Sequence, residues 1–388
     1  MLKYIVKKIV QKIGLKVIVI EKRFISLKPE GECKGNVLLS YVINGFYLKK
    51  DDPILDTHPY YWETIQVANT FLELGYAVDV IHYLNETFMP TKKYSFFIDC
   101  RWNMKRLAEC VGKECIKIFH VDICNTLFND VAELTRLLNL QRRRGVTLQE
   151  RRVERLNQGI EYADCATVIG NKFTLETFEY AGKPMYTLPV ISLTDRVWPE
   201  KKDFDVCRKN FLWLGSRALV HKGLDLVLEA FAMMPDYTLT ICGPIDKEED
   251  FVAEYHKELY ETPNIHTIGW MDVTSAKFEE ISSSCIGFVY ASAGEGQSSS
   301  VATALSMALI PIVSYECGWD VEDFGTLLDE SSVNEIKQAV QRISKLPEKE
   351  LKRMARSGWE YAKANHTKEK YAEVFRSSVN EIIKRFTK

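Results

Sequence analysis

The chain has 388 residues, too long for one ordinary hydrophobic core and enough for two domains of common size. Its 51 Lys+Arg against 53 Asp+Glu give a formal net charge of -2, and 46% hydrophobic with 27% charged residues is the composition of a soluble globular protein, which excludes nucleic-acid binding driven by bulk positive charge. Ten cysteines stand singly between Cys33 and Cys317 without a CxxC pair or clustered Cys/His spacing, so neither a zinc site nor a disulfide framework is expected; the lack of a long uncharged apolar run or a signal-peptide pattern points to the cytoplasm.

Residues 1–30 form a basic amphipathic segment. Within residues 1–23, Lys3, Lys7, Lys8, Lys12, Lys16, Lys22 and Arg23 stand against the single Glu21, and Leu2, Ile5, Val6, Ile9, Val10 and Ile13 recur at three-and-four spacing. As a helix, residues 1–23 would suit an anionic leaflet as a peripheral contact, each basic residue near the surface contributing about 1 kcal/mol. The same helix could instead pack on its own domain with its lysines solvated, and Leu15 to Ile20 reads equally as a strand.

A first run of strands and helices fills 31–198. Asn36–Ile43 reads as a strand, Tyr60–Leu74 as a helix closed by Gly75, and Ala77–Tyr83, Tyr94–Cys100 and Cys115–Val121 as strands, with a helix near 103–111. Two long helices are expected over 126–162, broken at Gly145 and restarted at Thr147, where Glu150 would complete a capping box. A strand at 165–170, a helix and a strand at 185–191 follow, and polar residues from Pro199 to Asp203 read as a linker. The second run, 205–365, alternates strands at 210–215, 237–243, 265–269, 286–292 and 310–315 with helices at 222–233, in the 250s, at 274–284 and at 298–308. A closing helix in 366–388 sets Tyr371, Val374, Phe375, Val379, Ile382 and Ile383 on one face, to be packed near the first domain. The fold class is therefore α/β: two Rossmann-like, doubly wound domains facing a cleft at the C-terminal edges of their sheets.

Chemistry-bearing motifs concentrate in the second run. Gly215-Ser216-Arg217 leaves a strand and His221-Lys222-Gly223 enters a helix, so Arg217 and Lys222 converge on one spot where a planar fork and a movable ammonium could neutralise a diphosphate. This is neither a GxxxxGK[ST] loop nor a GxGxxG fingerprint, and without a ligand it is a basic loop in a βαβ unit. Glu295 lies between Gly294 and Gly296 at another strand end, followed by Gln297, Ser298, Ser299 and Ser300, whose hydroxyls and helix-start amides could receive phosphate oxygens. In the first run, His120 closes an apolar strand, while Asn44, Gly45 and His58 sit in or beside the long loop after the opening strand. Arg142, Arg143, Arg144, Arg151, Arg152 and Arg155 make a basic corner, ordinarily a solvated surface and otherwise a hold for a phosphorylated or lipid-linked molecule.

The segments GSRALVHKGLDLVLEAF (215–231), LTICGP (239–244), NIHTIGW (264–270), EGQSSSVATALSMALIPIVS (295–314) and ECGWDVEDFG (316–325) together resemble the nucleotide-sugar-binding domain of the retaining glycosyltransferases of group 1, which have the two-domain GT-B fold. The resemblance implies that Arg217 and Lys222 hold the donor diphosphate, that Glu295 contacts hydroxyls of the transferred sugar, and that His120 lies by the reaction centre. It implies a donor cradle of Gly215, Ser216, Gly243, Gly296, Gln297, Ser298, Ser299, Ser300 and Thr303. Thr303 stands where the family's E-x7-E motif carries its second Glu, the group that holds ribose hydroxyls, so this chain departs from the pattern there. The implied activity is sugar transfer from a nucleoside-diphosphate sugar to a glycan or lipid-linked acceptor, with retention, in surface polysaccharide or glycoconjugate synthesis. No cofactor is called for, and the sequence has no DxD-type cluster that demands a metal. A catalytically silent nucleotide-sugar-binding module and a GT-B sugar-nucleotide epimerase are the alternatives.

Overall fold

The computed structural model describes residues 24–49, 52, 59–321 and 323–387; the expectations for residues 1–23 and for His58 lie outside these. A first sheet contains β1 (Phe24–Leu27), β2 (Gly35–Tyr41), β3 (Tyr76–His82), β4 (Phe96–Asp99), β5 (Ile116–Val121), β6 (Cys165–Ile169) and β7 (Met185–Leu188), in the order β1-β3-β2-β4-β5-β6-β7. All its neighbours are parallel except β1, which runs antiparallel to β3. A second, wholly parallel sheet contains β8 (Asn210–Leu214), β9 (Thr238–Cys242), β10 (Ile265–Gly269), β11 (Gly287–Tyr290), β12 (Ile310–Ser314) and β13 (Thr326–Leu328), in the order β10-β9-β8-β11-β12-β13. The short, unbroken apolar strands, such as the fully buried Phe96–Asp99 and Gly287–Tyr290, are what sheets covered by helices on both faces require.

Two expectations are corrected. Residues 24–27, read as part of the basic segment, are β1, and Ser26 Oγ donates to Asp79 Oδ1 on β3 at 2.8 Å. Helix Thr126–Arg144 ends as expected at Gly145 (φ 75), but no helix restarts at Thr147. Thr147 Oγ1 accepts from Gln141 instead of capping, and the backbone N–H groups of Gln149, Arg151 and Glu154 donate to the carboxylates of Asp250, Glu133 and Asp130 at 2.8, 2.8 and 3.0 Å. Carboxylates on other elements satisfy amides that a helix would have satisfied itself, so tertiary partners override the local capping signal.

The closing helix, Lys368–Phe386, lies against helix Pro59–Glu73, with the Tyr371 and Trp62 ring centroids 5.7 Å apart and Phe375 6.4 Å from Phe71. More important for the site is strand order. In the first sheet the order reverses between β2 and β4, and in the second between β8 and β11. Loops leaving the C-terminal ends of such strands diverge to opposite faces and open a crevice. The two crevices face each other: Tyr60, Arg101 and Trp102 at the first, and Gly215 to Arg217 with Glu295 at the second, line one cavity.

Candidate active site between the domains

That cavity has a volume of about 740 Å³. Its second-domain wall begins where β8 ends. The loop after Gly215 is held by Glu248, whose carboxylate accepts the N–H groups of Ala218 and Leu219, the latter at 3.1 Å. Ala218 takes φ 65, a left-handed conformation unusual for a residue with a Cβ, and the turn leaves Ser216 and Arg217 exposed at the cavity. Across from it β11 delivers Tyr290 and the loop to Glu295.

Lys222 and Glu295 meet at 2.8 Å between Nζ and Oε1. Lys222 also donates to Tyr290 Oη at 2.7 Å, and the Tyr290 and Ser292 hydroxyls donate to the same carboxylate oxygen at 2.9 and 3.1 Å. The other oxygen, Oε2, faces Arg152 Nη2 at 3.7 Å. Burial opposes ionisation of Glu295, but Lys222 and Arg152 outweigh it and hold the carboxyl far below the usual carboxylate range. Burial draws Lys222 below the usual lysine range, Glu295 opposes this, and Arg152 and Arg217 add to it, so three cations share one neighbourhood with one carboxylate. The local surplus is two positive charges, which matches the charge of a pyrophosphate diester. Behind Glu295, helix Ser299–Ser306 opens toward the cavity, and Ser298, Ser299, Ser300 and the buried Thr303 all line it. A helix start beside these cations is an anion seat.

The first-domain wall contains the Arg101–Asp122 ion pair, made through both terminal guanidinium nitrogens, and the rings of Tyr60, Tyr83 and Trp102. Part of the basic corner is engaged across the domains, whereas Arg142 and Arg155 stay exposed, Arg155 pairing with Glu86 of its own domain. Arg143 binds Asp225 and Glu229, Arg144 binds Glu254 and Glu258, and Arg151 binds Asp250, all of them carboxylates of the second domain. The arginines therefore clasp one domain to the other, and Arg152 is delivered to Glu295 by that clasp.

At its centre lies a fully buried pair, His221 Nδ1 and Glu133 Oε2 at 3.0 Å, with His221 Nε2 set against Gly294 O at 2.8 Å. Burial works to raise the Glu133 carboxyl, but the bonds from His221 and Arg151 N–H prevail and lower it. A carboxyl depressed in the folded state contributes stability fully present above its unfolded value, 4.5, and lost as pH falls through the lower folded value. Thermal melts should therefore show the wild type losing stability below about pH 4.5, and Glu133→Gln starting lower at neutral pH with a shallower acid decline. Parallel curves for the two proteins would contradict this.

Several residues expected at the site do other work. His120 is buried and does not line the cavity; its Nδ1 meets Thr167 Oγ1 at 2.8 Å, its ring packs edge-on to Tyr41, and burial lowers its pKa to about 4. Two positions along the chain, just past the end of β5, Asp122 reaches the cavity in its place. Gly296 is a domain contact: a Cβ there would stand 2.7 Å from the carbonyl oxygens of Asp122 and Ile169, and its own carbonyl accepts from Thr174 Oγ1 at 2.6 Å. Gly223 (φ 71) admits the backbone of Ala291. The start of helix Leu224–Ala232 does not line the cavity, and Leu224 N–H donates to Leu219 O at 3.0 Å. Gln297 lines the cavity while its Oε1 accepts from Val190 N–H. Gly215, Ser216, Gly243, Ser298, Ser299, Ser300 and Thr303 all line it, and Arg217 pairs with no acidic group among the described residues. Asn44 and Gly45 form a short turn against helix Pro59–Glu73 away from the cavity.

Residues 198–360 match the family model of the glycosyl transferases group 1. Among solved structures, sucrose-phosphate synthase from Thermosynechococcus elongatus superposes with a TM-score of 0.63 at 14% identity, covering 91% of this chain and 100% of that one. HepE from Anabaena, in complex with UDP and glucose, gives 0.56 at 12% identity, covering 90% and 100%. The α,α-trehalose 6-phosphate synthase from Burkholderia multivorans gives 0.53 at 12%, covering 84% and 75%. No curated protein sequence matches significantly. The architecture is thus the two-domain GT-B fold, and within it residues 198–360 are similar to the glycosyl transferases group 1.

Proposed function

We propose that the protein transfers a sugar from a nucleoside-diphosphate sugar to an acceptor hydroxyl, with retention and without a metal. The observation that carries this reading is the meeting of Lys222, Arg217 and Arg152 beside Glu295 at the start of helix Ser299–Ser306. Cleavage of a glycosyl–diphosphate bond builds negative charge on the leaving phosphate, and fixed cations there lower the barrier. Glu295, held ionised, stabilises positive charge at the anomeric carbon and accepts from sugar hydroxyls. A diphosphate oxygen takes the acceptor proton on the leaving-group face, so no separate base is needed. Thr303 leaves ribose recognition to a hydroxyl instead of a carboxylate. Surface polysaccharide or glycoconjugate synthesis is the setting we infer for this transfer, and peripheral membrane contact rests on the charge pattern of residues 1–23 alone.

HepE's complex with UDP and glucose makes UDP-glucose the first donor to test. In a thermal-shift screen of UDP-, GDP- and ADP-sugars, one donor should stabilise the protein and be slowly hydrolysed, equally well with EDTA, releasing a sugar of unchanged anomeric configuration. Binding without hydrolysis would identify a silent module; release of an epimerised donor would identify different chemistry.

A further inference from the structure

We propose that the protein forms a symmetric dimer through the outer face of helix Thr126–Arg144, which meets the same helix of a second copy running antiparallel. The pairing does not depend on sugar transfer, since none of the side chains that make it lines the cavity.

A surface helix ordinarily turns its apolar stripe toward its own core. This one does the reverse. Of its four buried residues, Thr126, Asn129 and Glu133 are polar and Leu140 alone is apolar. Hydrogen bonds tie that inner face down: Asn129 Nδ2 donates to Arg152 O at 2.6 Å, Glu133 pairs with His221 at 3.0 Å, and Arg136 Nη2 donates to Ala291 O at 2.9 Å. On the outer face Leu127, Val131, Leu134 and Leu138 are 48 to 63% exposed, and beside them stands Phe128, set edge-on against Phe173. Each forgoes part of the roughly 1.5–3 kcal/mol that burying such a side chain contributes.

The spacing identifies the occupant. Leu127, Val131, Leu134 and Leu138 follow one another in steps of four, three and four residues, the narrow seam of a coiled coil, and these steps read the same from either end. A second copy laid antiparallel therefore sets Leu127 against Leu138 and Val131 against Leu134, each pair twice, which is the reciprocity a twofold axis imposes. Area agrees with this. The five exposed side chains present roughly 500 Å² of apolar surface, within the range of the largest and often functional patch on a monomer. Two copies bring together roughly 1,000 Å², where specific interfaces begin, before the flanking Thr135 and Gln141 are counted. A leaflet fits less well, because peripheral helices border their apolar face with Lys and Arg, whereas Asp130, Thr135 and Gln141 border this one and its nearest cation is Arg142 at the far end.

The test reads the mass of the full chain by sedimentation from roughly 1 to 100 µM, the weak end of the range such interfaces cover. The wild type should pass to the mass of two chains, and Val131→Lys and Leu134→Glu should each raise the dissociation constant at least about tenfold. Mixed in equal amounts, the two variants should recover most of the loss. In the mixed dimer the introduced ammonium faces the introduced carboxylate at one crossing, while Leu134 and Val131 still meet at the other. That recovery would also show both variant chains to be folded. Variants that dimerise as the wild type does, or a mixture that fails to pair, overturn the proposal. A wild type monomeric throughout overturns it too: co-sedimentation of that monomer with phosphatidylglycerol vesicles, reduced in Leu134→Glu, would assign the stripe to a leaflet, and a monomer left in the supernatant would leave residues 1–23, with an apolar row of their own, as its occupant. Because no donor is used, a chain that hydrolyses no nucleotide sugar would count against the transferase reading alone.

Discussion

Replacing Lys222 with alanine should lower turnover of the nucleoside-diphosphate sugar by about 10²- to 10³-fold, the usual cost of removing one fixed group that stabilises developing charge. The chain should still fold. Glu295 keeps the Tyr290 and Ser292 hydroxyls at 2.9 and 3.1 Å and Arg152 at 3.7 Å, so its carboxylate is not abandoned in the interior. Backbone anchoring of the loop is also untouched, because Glu248 holds Ala218 and Leu219 and not Lys222. If the ammonium acts on the leaving phosphate, kcat must fall with kcat/KM, since the interaction strengthens as the bond breaks. Glu295→Gln separates the alternatives: it frees Lys222 from its ion pair but removes the negative charge that faces the anomeric carbon. Wild-type donor hydrolysis in Lys222→Ala, with an unchanged thermal melt, would remove Lys222 from the chemistry.

What the sequence made legible follows from the range of the interactions involved. Strands such as Asn210–Leu214 and Gly287–Tyr290 are announced by short apolar runs, and helix Thr126–Arg144 by its terminating Gly145. That Arg217, Lys222 and Glu295 line one cavity was readable because Arg217 and Glu295 lie just past strands and Lys222 closes the loop that Arg217 opens, and strand ends are where open α/β sheets place ligands. Arg152 was not readable as a site residue. Its surroundings carry a sound local capping signal, and only the acceptance of Gln149, Arg151 and Glu154 amides by Asp250, Glu133 and Asp130 straightens the chain and turns the side chain inward. No local pattern encodes carboxylates that arrive from other elements. Gly296 misled for a related reason. A glycine beside a loop carboxylate suggests ligand approach, whereas here it is the carbonyls of Asp122 and Ile169 that come close. His120 does lie at a strand end, but it is buried, and Asp122, two residues on and past the end of β5, is the one on the wall.

Arg152→Met should reduce kcat by about 10²-fold, comparable with loss of a single stabilising donor, even though the residue belongs to the other half of the chain from the diphosphate seat. Its guanidinium is the first domain's contribution to a charge cluster otherwise built by the second, and its Nε is buried with no hydrogen-bond partner among the described residues. That cation reaches Glu295 only while the domains are docked, so the proposed transfer would be conditional on the Arg143, Arg144 and Arg151 clasp. Direct and indirect effects separate by comparison with Arg143→Met. Arg143 never reaches the cavity, so its loss should lower the thermal midpoint and act on kcat only through docking, an effect that saturating donor should reverse if donor binding favours the docked state. Arg152→Met should stay slow at any donor concentration, and Arg152→Lys should recover part of the rate because charge is restored without the planar fork. Equal rescue of both methionine variants by donor would reduce Arg152 to another link in the clasp.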